Sequence, residues 1–162
     1  MTDEEIAQMI GVPKTIVSRT PMKGYREQNG HRRCDVELRS ESVGDGTFLV
    51  FVRQNLMFIE NFSIGLRYRS DDPALGTVTL VRYNGPHGEL SKGGDEHFFS
   101  PHIHRITEQE IVSGSLQPQE KHREPTDRYS TLEQALAVFF GDIGVSNLDP
   151  WFPELRQGVL FQ

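Results

Sequence analysis

The spacing of apolar residues along this chain changes character twice. Between Thr2 and Gly11, Ile6, Met9 and Ile10 recur at helical intervals. Thr2 with Glu5 makes a capping box, and Gly11 and Pro13 end the run, so a short N-terminal helix is predicted. Lys14 to Arg19 reads as an extension or connector. Pro21 to Arg33, polar and glycine-containing, reads as a loop.

From Asp35 the period falls to two. Val36 and Leu38 alternate with charged neighbours up to Ser40, and Thr47 to Leu56 is rich in β-branched and aromatic residues. Phe62, Ile64, Leu66 and Tyr68 alternate with Ser63, Gly65, Arg67 and Arg69, and Thr77 to Tyr83 alternates again. His102 to Ile106 supplies a fifth strand. The connections carry Gly44-Asp45-Gly46, Glu60-Asn61 and Asp71-Asp72-Pro73, too short for parallel crossovers, so an antiparallel meander is predicted.

Helical spacing then returns. Thr107 with Glu110 caps a short helix to Val112, stopped by Gly114, and residues 115 to 128 read as a loop. Ser130 with Glu133 gives a third capping box, followed by Leu132, Ala135, Leu136, Phe139, Phe140 and Ile143 on one face. The predicted fold class is therefore α+β. A sheet of about five antiparallel strands is packed by a helix at 131 to 143, assisted by the N-terminal helix, in one domain spanning 1 to 146. Residues 147 to 162 form a tail, with Trp151 and Phe152 available to dock. Its end, Val159-Leu160-Phe161-Gln162, matches what a viral 3C-type protease leaves after tag removal, although Gly158 stands where glutamate is expected.

Composition narrows the function classes. A chain of 162 residues with 36% hydrophobic and 25% charged residues suits one ordinary globular domain. No apolar run approaches bilayer length. The acidic start, Met1-Thr2-Asp3-Glu4-Glu5, lacks a signal peptide's pattern, so a cytoplasmic location and no membrane partner are expected. The single cysteine, Cys34, has no partner for an internal disulfide and reads as inert. A net charge of −6 argues against a uniformly basic nucleic-acid coat. Arginines nevertheless concentrate mid-chain at positions 53, 67, 69, 82 and 105, while acids crowd the ends and turns.

The candidate chemistry lies between Arg82 and Arg105, where four of the six histidines fall: His87, His97, His102 and His104. His102 and His104, two apart on a strand, aim at one side, and His87 follows a strand end between glycines. Three readings stay open. In one, His102 and His104 are general base and acid on a phosphodiester, with His87 a third participant and Arg82, Arg105 and Arg67 binding phosphate; no cofactor is needed. In another, His87, His102 and His104 ligate a divalent metal with Glu108 or Asp95; His102-Ile103-His104 followed by Glu108 resembles the first cupin motif. In the third, the histidines are ordinary polar residues of a solvated sheet face. The arginines divide similarly. Arg53, Arg67, Arg69 and Arg82 make a phosphate-binding row or a solvated face countered by Glu37, with His31, Arg32 and Arg33 at its edge. Tyr68 and Tyr83 stack bases or simply pack.

The order Arg82-Tyr83-Asn84, His87-Gly88, His102 and His104, then Tyr129 and the helix from Leu132 to Asp142, resembles the TumE-like toxins of bacterial toxin–antitoxin pairs. Asn84-Gly85 replaces that family's aspartate-containing pair. The chain, including Arg53-Gln54 and Asn61-Phe62-Ser63-Ile64-Gly65-Leu66, also resembles a bacterial family of unassigned function. The first resemblance implies a toxin–antitoxin or defence-associated protein acting on RNA as a metal-independent ribonuclease, with a cognate antitoxin as partner. A non-catalytic interaction module contacting partners through Trp151 and the tail is the remaining alternative.

Overall fold

A computed structural model of the protein describes residues 1–44, 46–86, 100–119 and 123–155. Helix α1 (Asp3–Gly11) leads into strands β1 (Thr15–Thr20), β2 (Arg26–Gln28), β3 (His31–Arg39), β4 (Thr47–Asn55), β5 (Phe62–Arg69), β6 (Thr77–Asn84) and β7 (His102–Arg105). Helix α2 (Glu108–Val112), strand β8 (Arg123–Pro125) and helix α3 (Leu132–Asp142) complete the order. The strands form one eight-stranded sheet in the order β1-β3-β4-β5-β6-β7-β8, every pairing antiparallel, with β2 sharing the β3 edge. The α+β class and the meander are thus as the periodicity suggests, but the sheet has eight strands rather than about five. Among the described residues, no helix is long and apolar enough to cross a membrane.

The three additional strands fall where the pattern is broken or brief. In β1 the register shifts between Ile16 and Ser18, so the inward residues are Ile16 and Arg19, three apart instead of two. A bulge thus gives a strand helix-like spacing. Strands β2 and β8 are three residues each, too short to show any period. The cap of α3 also moves by one residue: Thr131 and Gln134 form its capping box, while Ser130 donates to Gln134 Oε1.

Both long helices cover one face of the sheet. Cys34, Val36, Leu38, Phe48, Val50, Val52, Phe62, Ile64 and Leu66 point into it and meet Ile6 and Ile10 of α1 and Leu136, Phe139 and Phe140 of α3. Burying each large side chain contributes about 1.5–3 kcal/mol, which is why the amphipathic stripes find this face. Phe152 and Leu155 of the C-terminal segment are buried in the same core. Arg19 holds that segment down: its guanidinium donates to the carbonyls of Trp151 at 2.5 Å and Gly24 at 2.7 Å and lies 4.0 Å from the centre of the Phe152 ring.

Lys14 ties the two helix ends together. It is 1% exposed, and its ammonium donates to the carbonyls of Ile10 at 2.7 Å, Val12 at 3.0 Å and Ile143 at 2.8 Å. Those carbonyls belong to the C-terminal ends of α1 and α3, which lack intrahelical partners and carry partial negative charge. The Phe48 ring lies 4.7 Å from the same nitrogen. Burial lowers the Lys14 pKa to about 8.

Candidate anion-binding face

Among the described residues, neither α1 nor α3 packs on the opposite face of the sheet. Side chains alternate, so odd-numbered residues of β3, β4 and β5 point to it together. Register aligns Asp35 with Phe51 and Gly65, and Arg33 with Arg53 and Ser63. Arg67 lies between Leu49 and Thr79 in the next row, and Arg26 of β2 stands opposite Arg33.

Phe51 is the platform of this face. A Cβ on Gly65 would fall 2.2 Å from its ring, so the glycine's missing side chain is what lets the ring lie across the neighbouring strand. Arg67 covers the ring with its guanidinium 4.5 Å from the centre, and Arg53 approaches at 5.9 Å. Both distances suit cation–π attraction. Phe51 is therefore buried although it faces away from the helices.

Charge is crowded around it. Arg33 donates to Asp35 through Nε and Nη2, with a shortest contact of 2.9 Å. Arg67 feels the charges of Arg33 and Arg53 and, against them, only that of Asp35. Burial first, then those two guanidinium neighbours, pull its pKa below the usual arginine value. Three guanidinium groups thus share this face with two carboxylates, Asp35, which is held by Arg33, and Glu37, which lies in the row of Leu49 and Arg67. Two shallow concavities open here, about 470 Å³ beside Arg26, Arg33 and Arg53 and about 330 Å³ beside Arg33, Phe51 and Arg67.

The histidine pair lies on the same face, farther along the sheet. His104 pairs with Arg82 and His102 with Asn84. Their rings meet edge to face at 5.0 Å between centres. They are not at the surface, however: His102 is 0% and His104 1% exposed, and Asn84 is also buried. His102 Nδ1 lies 2.9 Å from the Ser100 carbonyl. The Tyr129 hydroxyl sits 2.9 Å from the Asn84 carbonyl and 3.0 Å from that of His102, bracing β6 against β7.

Arg105 departs from this group. One residue past His104, it emerges on the helix-bearing face, across from Val81. Arg82 and Arg105 therefore do not flank a common pocket. His87, His97 and Asp95 lie outside the described residues. Glu108 is exposed at the first turn of α2, where its backbone N–H donates to Asp3 Oδ1 at 2.7 Å. Among the described residues, no group of three or more His, Cys, Asp or Glu is placed to hold a metal ion.

Other candidates have packing roles. Tyr83 points into the core, stacks on Tyr129 at 5.9 Å and donates its hydroxyl to Asp142. Tyr68 packs on Phe48 at 5.2 Å. Neither is presented on the arginine face. Cys34 is buried, and burial pushes its thiol pKa up to about 11, the opposite of a nucleophile's environment.

Sequence reasoning found Arg53 and Arg67 but missed Phe51, Gly65 and Asp35. Their shared odd parity on neighbouring strands was the available signal; register was the missing piece. No family model matches the chain, and neither a curated protein nor a solved structure is significantly similar to it.

Proposed function

We propose that the protein binds RNA through the arginine-bearing face of its sheet. One observation carries the reading: Arg33, Arg53 and Arg67 crowd around Phe51 with Asp35 as the one carboxylate that opposes their effect on Arg67. Mutual repulsion of this kind is relieved by an incoming anion. From β2 to β5 the arginines extend over three inter-strand steps of ~4.8 Å, about 14 Å in all. That spread suits a chain of phosphates better than a single one. Guanidinium planes also serve as stacking surfaces for unpaired bases. The resemblance to TumE-like toxins leads to the same class of ligand.

Binding rather than cleavage is what the described conformation supports. His102 and His104 remain the pair suited to base and acid work on a ribose phosphodiester, but at 0% and 1% exposure neither ring meets solvent.

The test is fluorescence anisotropy with a labelled single-stranded RNA, comparing the wild type with an Arg33→Gln, Arg53→Gln, Arg67→Gln variant. The wild type is expected to bind with a log–log salt slope of about −2, near 0.7 per phosphate contact, and the variant about tenfold more weakly or worse. Equal affinity of the two proteins, or no binding by the wild type at about 50 mM salt, overturns the proposal. Intact RNA after incubation fits a binding role; cleavage that persists in His102→Ala, His104→Ala protein contradicts the assignment of that pair.

A further inference from the structure

A third concavity lies on the other side of the sheet, about 880 Å³ between α1, the C-terminal end of α3 and strands β6 to β8. That size is in the range of small-molecule sites. Its apolar lining includes Ile10, Ile103, Ile106 and Pro125, and its polar lining includes Arg105, Arg128 and Asp142.

Two of the three carboxylates of this cleft, Asp142 and Asp3, are occupied internally, and the third, Glu124, is exposed at its edge. Asp142 accepts from the Tyr83 hydroxyl and from both Nη atoms of Arg128, at 2.7 and 2.9 Å. Asp3 accepts the Glu108 backbone N–H. Arg105 is exposed, and its charge is felt at Asp142, yet it makes no hydrogen bond or ion pair with any described residue. The cleft therefore combines an apolar lining with one guanidinium whose donors face open space.

From this arrangement we infer a site for a small amphipathic carboxylate, its acid group held by Arg105 and its apolar body resting on the half-buried Ile103. A monoanion fits better than a phosphate dianion. Asp3, Glu124 and Asp142 balance the charges of Arg105, Arg123 and Arg128 within the lining, so a second negative charge would meet repulsion. Guanidinium recognises the planar carboxylate through paired N–H donors. The site is independent of the RNA-binding reading, because the sheet separates Arg105 from Arg53 and Arg67.

Benzoate is the probe, followed by amide chemical shifts of the full-length protein. It is expected to move residues 103–107 and 123–128 with a dissociation constant of about 1–10 mM, which corresponds to roughly −4 kcal/mol or weaker. Arg105→Gln, at an exposed position, is expected to weaken binding about fivefold or more through loss of the charged hydrogen-bond partner. No shifts in the wild type at about 10 mM, unchanged affinity in Arg105→Gln, or inorganic phosphate binding as well as benzoate would each overturn the inference.

Discussion

The two faces of the sheet treat positive charge in opposite ways. On the helix-bearing side, cations that shape the fold are matched: Lys14 has three carbonyl acceptors, Arg19 has two carbonyls with Glu154 at 3.7 Å, and Arg128 has both oxygens of Asp142. On the open side, Arg33 is held by Asp35, but Arg53 and Arg67 share the Phe51 ring and make no ion pair with any described residue, and Arg67 feels the charges of both Arg33 and Arg53. A fold that pairs its structural cations this closely has no structural need for the crowded set. The contrast marks the open face as a surface for an anion from outside, and it separates stability from function by position.

Removing Lys14 tests the matched side and has the largest expected effect. Lys14→Met leaves three carbonyls at two helix ends without their shared donor, and a loss of about 3 kcal/mol is expected in urea unfolding. The pH dependence has a definite sign. Lys14 has a folded pKa of about 8 against the usual 10.5, so between those values the unfolded chain holds a proton that the folded chain has released. Stability therefore gains a term that rises with pH from about 8 to 10.5, by at most ~1.4 kcal/mol per pH unit. Lys14→Met is expected to abolish that rise. An identical rise in the variant would assign it to other groups.

Gly65→Ala tests the open side with a smaller effect. The added methyl displaces the Phe51 ring, and overpacking of this kind costs about 1–3 kcal/mol. Because Arg67 and Arg53 rest on that ring, RNA affinity is expected to fall with it. A variant of unchanged stability and affinity would show that Phe51 is not the platform.

How much of this was legible from the sequence depended on whether a feature was local. Capping residues and the apolar stripe of α3 are local, and they gave that helix to within one residue at each end. The strands β3 to β7 were legible from alternation together with β-branched and aromatic content, although β6 buries four residues in a row, Val78 to Val81, where its register with β5 shifts. Strand β1 was not, because a bulge spaces Ile16 and Arg19 like helix neighbours. The same parity rule that joined His102 and His104 sends Arg105 to the opposite face, so chain proximity misgrouped the arginines. The burial of the two histidines was beyond reach, since alternation gives the face of a strand but not what covers it. Lys14 and Arg19 were hidden for a related reason: their partners are carbonyls, which leave no trace in side-chain pattern.

The claim that the crowded arginines await a polyanion is tested most directly by thermal unfolding at low salt, with and without a single-stranded RNA of about 20 nucleotides. At about 100 times its dissociation constant the RNA should add ~2.7 kcal/mol to wild-type stability. That corresponds to a rise of roughly 5–10 °C in Tm. In the absence of RNA, Arg53→Gln, Arg67→Gln protein should melt at the wild-type temperature or slightly above it, and RNA should move it far less. A wild-type Tm that ignores RNA, or an equal rise in the variant, would contradict the account.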